Sequence, residues 1–371
     1  MKFRIERDAF ADAVTWVART LPTRPSRPVL AGILIHTSAS GIALSSFDAE
    51  TAAQVDVEAT VSEEGRVLVP GRLLGDIARS LPAQPVEFAV EGTRVQVTCG
   101  RSSFTLPTLP VDEYPALPDM PSASGSIPGA SFASAVSQVA IAAGRDDALP
   151  FLTGIRIEID DTRVTLVATD RYRLAVREFD WVPATPGLDV QALAPAKTLA
   201  DTAKSLANAD TVNLGVSAVE PANLLGFEGN GRRTTARLLD AGFPDYRALL
   251  PKESISAAII NTAALIDSVK RVALVAERNT PLKMSFSSNE VVLRAGTGDE
   301  AQASEVLECT LEGPDIEIAL NPHYLLDGLG VLDSASTRMS FTVPEKPVVI
   351  TPATDDAPNF HYLLMPVRLA G

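Results

Sequence analysis

The sequence holds few of the residues from which disulfide and metal sites are built. Its 371 residues include only two cysteines, Cys99 and Cys309, which lie far apart, and three histidines. A disulfide framework or a cysteine-rich metal site is therefore not expected, and we predict two reduced, buried thiols. No metal ion and no cofactor is predicted for this chain.

Long apolar runs and a signal peptide are also missing. The N-terminal sequence MKFRIERDAF carries charges where a signal peptide needs an apolar segment. No apolar stretch approaches the length of a membrane span. These absences predict a cytoplasmic protein that does not interact with membranes.

Basic residues are outnumbered, because 32 Lys and Arg stand against 46 Asp and Glu and give a formal net charge of −14. Taken over the whole chain, this balance argues against tight binding to nucleic acid, since phosphate contacts need a basic surface. Hydrophobic residues make up 46% of the chain and charged residues 21%, which is a globular composition. The length suits two or three domains.

The common catalytic motifs are absent as well. The sequence contains no GxSxG, P-loop, HExxH or CxxC motif. The histidines His36, His323 and His361 are scattered, and adjacent acids such as Asp146-Asp147 lie at predicted turns. Packed histidines and solvated acids explain these residues better than a catalytic or metal site does. We therefore do not expect an enzyme.

What the chain does contain is an internal repeat. FADAVTWVA at 10–18 aligns without gaps to FASAVSQVA at 132–140 with six of nine positions identical, and LIDSVKRVA at 265–273 is a fainter copy. Other segments repeat in the same order: LAGILIH at 30–36 with LTGIRIE at 152–158, LGDIARSL at 74–81 with LADTAKSL at 199–206 and LLDGLGVL at 325–332, and DEYPALP at 112–118 with PDYRALLP at 244–251. Several matches in one order indicate duplication.

The period of the repeat is a domain's length, so we predict three related domains over 1–122, 126–252 and 253–371. Each copy has the pattern of an α+β domain, with two helices packed on mainly antiparallel sheet. The alternating sequence at 86–100 predicts a hairpin about Gly92. Helices are predicted over 10–20, 71–81, 131–145, 196–207, 262–278 and 322–333.

Four segments together carry a family resemblance, namely RPSRPVLAGILI at 24–35, VATDRYRLAV at 167–176, FPDYRALLP at 243–251 and YLLMPVRL at 362–369. In this order, in a threefold-repeated chain, the sequence resembles the bacterial DNA polymerase III β subunit, the DNA sliding clamp. The resemblance implies a head-to-tail homodimer whose six domains close into a ring around duplex DNA. It also implies a processivity factor that is not an enzyme, placed on DNA by a clamp loader to tether the replicative polymerase.

This resemblance removes the conflict with the acidic composition, because a topological tether needs little affinity for DNA. The six predicted helices, which would line the hole, carry a slightly positive balance, so the acidity lies elsewhere in the chain. Contacts with phosphates would carry no sequence preference. The candidate DNA-binding residues are Arg24, Arg27, Arg72, Arg79, Arg145, Lys197 and Lys204.

The resemblance further implies a groove between the second and third domains for short peptide motifs. These would come from the replicative polymerase, the clamp loader, repair polymerases, ligase and mismatch-repair proteins. A floor of methionine and aliphatic residues accepts varied apolar anchors. The motif match places Leu152, Thr169, Leu174, Pro244, Leu249, Leu363, Met365 and Pro366 on the floor of the groove and Tyr172, Arg173 and Arg368 at its rim. Arg171, Tyr172 and Ala248 depart from the residues expected in the family, which leaves the ligand preference of the rim open.

For the contact between subunits, the resemblance pairs a strand of the first domain with the third domain of the partner. The matching residues are Phe104 and Leu106 on one side and Leu274 and Val275 on the other. Apolar contact and strand pairing should dominate there, since exposed ion pairs contribute little.

Two alternative functions stay open. One is a duplicated clamp specialised for inhibitor resistance, which the unusual residues Arg171 and Ala248 allow. The other is a β-rich ligand-binding protein built from three duplicated domains. That protein would need polar groups that converge on a single pocket, and the sequence offers no such cluster.

Overall fold

The computed structural model describes residues 1–146, 148–217, 223–251, 253–276, 280–296, 301–354 and 356–367. Six α-helices and 27 strands are assigned in these ranges, and the predicted α+β class is confirmed. Cys99 and Cys309 are free and buried, as predicted. Among the residues described, no helix is long and apolar enough to cross a membrane.

The first third of the chain contains nine strands and two helices. They are β1 (Lys2–Ile5), α1 (Arg7–Ala18), β2 (Gly32–Ser38), β3 (Gly41–Phe47), β4 (Thr51–Val57), β5 (Thr60–Glu63), β6 (Gly65–Pro70), α2 (Gly71–Ser80), β7 (Val86–Glu91), β8 (Arg94–Cys99) and β9 (Ser102–Pro107). The predicted hairpin about Gly92 is confirmed by the pairing of β7 with β8. Gly92 has a φ of +59°, a left-handed conformation that glycine adopts at little cost.

The middle third repeats this pattern. Its elements are β10 (Gly125–Ile127), α3 (Gly129–Ala140), β11 (Gly154–Asp160), β12 (Arg163–Thr169), β13 (Arg173–Asp180), β14 (Val182–Pro183), β15 (Asp189–Pro195), α4 (Ala196–Ser205), β16 (Val212–Ser217), β17 (Leu224–Gly229) and β18 (Arg232–Arg237). The equivalent faces of α1 and α3 are both buried, through Phe10 and Val14 in one and Phe132 and Val136 in the other. The repeat in sequence is thus a repeat of buried helix faces.

The last third contains β19 (Ser256–Asn261), α5 (Thr262–Val272), β20 (Leu282–Phe286), β21 (Glu290–Ala295), β22 (Ala303–Glu308), β23 (Thr310–Glu312), β24 (Ile316–Leu320), α6 (Pro322–Gly330), β25 (Ser336–Phe341), β26 (Val348–Pro352) and β27 (Phe360–Leu364). Asn261 and Asn321 cap the two helices, because each side chain accepts hydrogen bonds from backbone amides in the first turn.

All six helices end before the predicted residue, and two of them end five or more residues early. The helix predicted over 131–145 ends at Ala140, and the chain then turns so that the Gly144 amide donates a hydrogen bond to the carbonyl of Leu152 at 2.7 Å. The helix predicted over 262–278 ends at Val272, where a 3-10 turn over Ala273–Val275 follows.

The described residues divide into two compact units. One comprises Met1–Ala130 and Ser205–Leu238. It contains an antiparallel sheet in the order β5-β1-β7-β8-β9, and a second sheet in which its strands follow the order β10-β16-β17-β18-β4-β3-β2-β6. Helix α1 packs against α2 and against β3 and β4. Phe3 stacks on Phe88 at 4.7 Å between ring centroids in the core of this unit.

The other unit comprises Ser131–Lys204 and Leu239–Gly371. Its larger sheet has nine strands in the order β15-β11-β12-β13-β27-β26-β25-β19-β23, and its smaller sheet has the order β22-β21-β20-β24. Helices α5 and α6 pack on each other. Strands from the second and third copies of the repeat therefore share one sheet, and their junction is the pairing of β13 with β27.

Candidate functional site

The junction of β13 and β27 brings together two segments that the sequence assigned to the groove. Leu174 pairs with Leu363, and Arg173 pairs with Leu364. The pairing continues one residue further, because the Met365 amide donates to the carbonyl of Tyr172 at 2.8 Å. The last described residues of the chain thereby border the turn between β12 and β13.

An apolar cluster lies on one face of this junction. Leu174 and Leu363 are 1% and 3% exposed and pack with Tyr246, Val167 and Val176. Further predicted floor residues surround this cluster with larger exposure: Pro244 is exposed, Leu249 is 50% exposed, Met365 is 39% exposed and Pro366 is partly buried. The buried residues form a base, and the exposed apolar residues are the ones that a ligand can contact.

A buried carboxylate fixes the segment that carries Leu249. The Tyr246 hydroxyl donates to Oε2 of Glu158 at 3.0 Å, and Arg247 and Arg156 each donate to the same carboxylate at 2.5 Å. Burial alone would raise the pKa of Glu158, but the hydrogen bonds from Arg247, Tyr246 and Arg156 outweigh this effect and lower the pKa. Burial, followed by the nearby Glu158 charge, raises the pKa of the Tyr246 hydroxyl.

Sequence reasoning missed this carboxylate. Glu158 was not singled out as a site residue. The available signal was an acid near the centre of strand β11, two positions after Arg156 and therefore on the same face of the strand.

The turn between β12 and β13 is tightly hydrogen-bonded. The side chain of Asp170 accepts hydrogen bonds from the backbone amides of Tyr172 and Arg173, each at 3.0 Å. The Thr169 hydroxyl donates to the carbonyl of Arg173 at 2.8 Å. Within this turn Arg171 has a φ of +79°, in the left-handed region that favours glycine.

Arg173, predicted at the rim of the groove, is instead only 8% exposed. Its guanidinium pairs with Asp170 at 2.9 Å and with Asp327 at 2.6 Å, and it lies 4.4 Å from the centre of the Tyr324 ring. Burial lowers the pKa of this guanidinium, but the hydrogen bonds to its partners, that to Asp327 first, more than reverse the effect and raise it. Arg173 therefore orients its neighbours, whereas Tyr172, at 56% exposure, is open to a ligand.

A cavity of 580 Å³ lies beside this turn. Its volume is within the usual range of sites that bind small ligands. Its lining residues are Ala143, Gly144, Arg145, Asp146, Leu149, Leu152, Asp170, Arg171, Tyr172, Arg173, His323, Tyr324 and Asp327. It contains Leu152, Tyr172 and Arg173 of the predicted groove, and also Arg145, which was predicted to bind DNA.

The predicted groove thus consists of two neighbouring surfaces. Leu152 lines the cavity, whereas Leu174 and Leu363 belong to the apolar cluster. The division arises because adjacent residues of a strand point to opposite faces, so that Arg173 is directed to the cavity and Leu174 to the cluster. Arg368 lies outside the described residues.

The seven candidate DNA-binding side chains are exposed, and those on α2 and α4 share a pattern. On α2, Arg72, Asp76 and Arg79 lie on the exposed face, and Asp76 pairs with Arg79 at 2.5 Å. On α4, Lys197, Asp201 and Lys204 repeat this order and spacing, and Lys197 lies 3.5 Å from Asp201. Each face presents two cations separated by one acid.

The remaining candidates are placed in loops. Arg27 donates to the carbonyl of Glu113 at 2.6 Å, and Arg24 is exposed in the segment that follows α1. The third copy of the repeat lacks the charge pattern, because His323, Asp327 and Gly330 occupy the equivalent positions on α6.

The candidate subunit-contact residues differ in exposure. Leu106 is 1% exposed and Phe104 packs against the same core, because both lie on the inward face of the edge strand β9. Leu106 is therefore part of its own domain's core and not available as a side chain for a partner. Leu274 is 84% exposed and Val275 is partly buried. Val306, on the edge strand β22, is 57% exposed and was missed, although the alternation of β22 places it outward.

Within the ranges that the structure describes, no group of three or more His, Cys, Asp or Glu side chains is arranged to hold a metal ion. Asp147 lies outside those ranges.

Family models match along the chain in three consecutive segments. The N-terminal, central and C-terminal domains of the DNA polymerase III beta subunit match residues 1–118, 126–245 and 247–368. The beta sliding clamp of Streptomyces coelicolor is 56% identical over 376 residues, which cover 100% of both chains. The beta sliding clamp homolog GriR of Streptomyces muensis is 45% identical over 372 residues, covering 99% of each chain.

A solved structure agrees with these sequence matches. The crystal structure of a DnaN sliding clamp (DNA polymerase III subunit beta) from Pseudomonas aeruginosa bound to griselimycin has a TM-score of 0.92 at 27% identity and covers 100% of both chains. Three clamp domains in tandem, high identity over the full length and the same fold confirm the resemblance seen in the sequence. The chain belongs to the DNA polymerase III β subunit family, the bacterial DNA sliding clamps.

Proposed function

We propose that this protein is a DNA sliding clamp, a homodimer that closes head to tail around duplex DNA and tethers the replicative polymerase. The observation that carries the proposal is the match of all three clamp domains along a chain that a beta sliding clamp covers completely. The role is that of a processivity factor and requires no catalysis. We retain 1–122, 126–252 and 253–371 as the proposed domain boundaries.

Two strand edges support a head-to-tail contact. Strand β9 ends one sheet and β22 ends another, so each has backbone groups that a partner strand could pair with. Beside the second edge, Leu274 and Val306 expose apolar side chains. A contact between two different surfaces forms a closed ring when the rotation from each subunit to the next adds up to a full turn. The backbone of β9, and not the side chain of Leu106, supplies the first surface.

The charge pattern of α2 and α4 supports weak, sequence-independent contact with DNA. Arg72 and Arg79 on one helix and Lys197 and Lys204 on the other can reach phosphates but are too few to bind tightly in a chain of net charge −14. Contacts with phosphates position a protein on DNA without reading its sequence. Retention on DNA would then come from the closed ring.

The groove at the junction of β13 and β27 is the proposed site for partner peptides. Exposed Leu249 and Met365 flank a rigid apolar base, an arrangement that suits an extended peptide with leucine and phenylalanine anchors. The proposed partners are the replicative polymerase, the clamp loader, repair polymerases, ligase and mismatch-repair proteins.

Sequence identity favours this function over that of a duplicated clamp specialised for inhibitor resistance. The chain is 56% identical to a protein named as a beta sliding clamp and 45% identical to one named as a homolog of it.

Retention on circular DNA tests the ring. A clamp loader should place the wild-type protein on nicked circular duplex, and the protein should remain there through gel filtration until a restriction enzyme linearises the circle. Leu274→Glu should sediment as a monomer and fail to be retained, because it places a charge at the apolar contact. Equal retention on circular and linear DNA, or tight binding to a short duplex of one sequence, would contradict the proposal.

Peptide binding tests the groove separately. In fluorescence anisotropy with a glutamine-led peptide that contains leucine and phenylalanine, Leu249→Ala with Met365→Ala should weaken binding by about 10- to 100-fold. These residues are preferable to Leu174, whose truncation would open a cavity in the buried cluster. Val343→Ala is the matched control, since Val343 is similarly exposed at 41% and lies outside the groove. Unchanged affinity in a folded double variant would refute the groove.

A further inference from the structure

Arg171 occupies a backbone position that does not suit it. Its φ of +79° is costly for any residue with a side chain, and glycine would adopt it more readily. The turn leaves little choice, because hydrogen bonds from Tyr172 and Arg173 to Asp170 fix the backbone on the C-terminal side. Packing of the side chain does not offset this strain, since Arg171 is exposed. Strain of this kind is concentrated at functional sites.

The guanidinium of Arg171 makes no hydrogen bond or ion pair with any of the described residues. The same holds for the guanidinium of Arg145, which also lines the 580 Å³ cavity. The acids of the cavity are engaged: Asp170 and Asp327 bind Arg173, and Asp146 accepts a hydrogen bond from the amide of Ala148 at 3.0 Å. The cavity therefore presents two cations that are free to bind a ligand.

The rest of the lining suits part of a peptide. Leu149 and Leu152 provide apolar surface, and the rings of Tyr172 and Tyr324 lie 6.3 Å apart in a stacked arrangement. The cavity lies beside the turn whose Tyr172 carbonyl binds the Met365 amide, so a peptide anchored at Met365 can extend into it.

We propose that Arg171, with Arg145, makes this cavity an acidic-residue subsite, which binds an aspartate or glutamate just beyond one end of a docking peptide's apolar anchors. This inference rests on the proposed peptide-binding function and adds a selectivity to it. A single carboxylate can be accommodated by two arginines through charge-assisted hydrogen bonds. A nucleic acid strand would bring several phosphates against Asp146, Asp170 and Asp327, so an acidic peptide fits better.

The test compares peptides that differ only beside their anchors. Three peptides share the same glutamine-led core with leucine and phenylalanine, flanked by alanines, by an aspartate on the N-terminal side or by an aspartate on the C-terminal side. In fluorescence anisotropy with the full-length protein, one aspartate peptide should bind about 3- to 10-fold more tightly than the alanine peptide. The preference should shrink as salt concentration rises.

Arg171→Gly separates the subsite from the groove. Glycine suits the positive φ, so the variant should fold with an unchanged or higher thermal midpoint. It should bind the alanine peptide as the wild type does and lose the preference for aspartate. Arg4→Gln is the matched control, because it removes one exposed positive charge in the other unit and should keep the preference.

Any of the following results would contradict the proposed acidic-residue subsite. If the wild type binds all three peptides equally, or if Arg171→Gly keeps the preference, the groove stands and the subsite does not. If no peptide binds, the proposed peptide-binding function fails as well. If a single-stranded oligonucleotide displaces the aspartate peptide in an Arg171-dependent way and the alanine peptide remains bound, the cavity is a nucleic-acid site.

Discussion

Two copies of one duplicated segment are attached to their sheets by different means. Tyr114 in the first copy and Tyr246 in the second are both buried, and burial raises the pKa of both hydroxyls. In the second copy the hydroxyl donates to Glu158, which Arg156 and Arg247 also bind. One side chain from the sheet, Arg156, and two from the segment, Tyr246 and Arg247, thus bind the same carboxylate.

In the first copy the equivalent positions carry Leu34, His36 and Pro115 in place of Arg156, Glu158 and Arg247. None of these three positions carries a carboxylate, the hydroxyl of Tyr114 has only a weak interaction with the backbone of Phe47 and no well-formed hydrogen bond among the described residues, and a cavity of 460 Å³ borders these residues. Tyr114 is held by apolar contacts with residues such as Leu30 and Leu68.

The difference matches what each segment has to do. Under the proposed function, the segment in the second copy keeps Leu249 exposed beside the groove, and an exposed apolar residue contributes little to holding its own backbone in place. The Glu158 cluster supplies that attachment. In the first copy no exposed anchor has to be presented, and apolar packing is sufficient.

The chain's two tryptophans allow the two compact units, one with Tyr114 and the other with Tyr246, to be followed separately. Trp16 lies in one unit and Trp181 in the other, and both are buried. Fluorescence from Trp181 in a Trp16→Phe background, and from Trp16 in a Trp181→Phe background, therefore reports unfolding of each unit.

The largest effect is expected from removing the carboxylate. Glu158→Ala should lower the free energy of unfolding reported by Trp181 by about 2 kcal/mol, because Tyr246 and Arg156 lose a buried acceptor. The equivalent change His36→Ala should cost less than about 0.5 kcal/mol in the Trp16 signal, as a surface substitution. Urea unfolding measures both, and equal losses would remove the distinction between the copies.

A smaller effect is expected from the two hydroxyls. Tyr246→Phe should cost about 1 kcal/mol, the usual contribution of one hydrogen bond. Tyr114→Phe should cost less than this, since its hydroxyl has only a weak interaction with the backbone of Phe47 to lose. The same urea titrations decide this, and a loss at Tyr114 as large as that at Tyr246 would show that its hydroxyl is satisfied after all.

The smallest effect is expected from acid. The folded-state pKa of Glu158 is lowered from 4.5, so its ionised form stabilises the fold above that pH, and this stabilisation is lost as pH falls toward the folded pKa. The loss should be smaller than that caused by Glu158→Ala, because the protonated carboxyl can still accept hydrogen bonds from Tyr246, Arg247 and Arg156. Thermal midpoints between pH 6 and 3 should fall less steeply in Glu158→Gln than in the wild type. If the thermal midpoints of the two proteins fell equally with pH, the acid sensitivity would come from groups other than Glu158.

The helices and strands could be predicted well from the sequence because the apolar positions that repeat along the chain are the ones that are buried. The spacing of Phe10, Val14 and Val17 identified α1, and its copy at Phe132 identified α3, since the same apolar face must be buried twice. What periodicity does not encode is which strands pair across long separations. The β13–β27 junction was reached through the family resemblance and not from the pattern of apolar residues.

Side-chain direction limited the prediction of the site. Arg173 and Leu174 were placed in one groove, although neighbours in a strand point to opposite faces. Leu106 was assigned to a subunit contact, although the apolar face of a half-buried strand belongs to its own core. The Glu158 cluster was not foreseen because its members come from segments far apart in sequence.

The acids between the cations on α2 and α4 should affect how fast the protein diffuses along DNA. Asp76 lies 2.5 Å from Arg79 and Asp201 lies 3.5 Å from Lys197, so one cation on each helix already has an acidic neighbour that competes with an incoming phosphate. Exchange between two similar partners lowers the energy gained at any one phosphate and shortens the dwell time there. The energy profile along the duplex would be nearly flat, and we expect the diffusion coefficient on DNA to fall when Asp76 and Asp201 are replaced by asparagine.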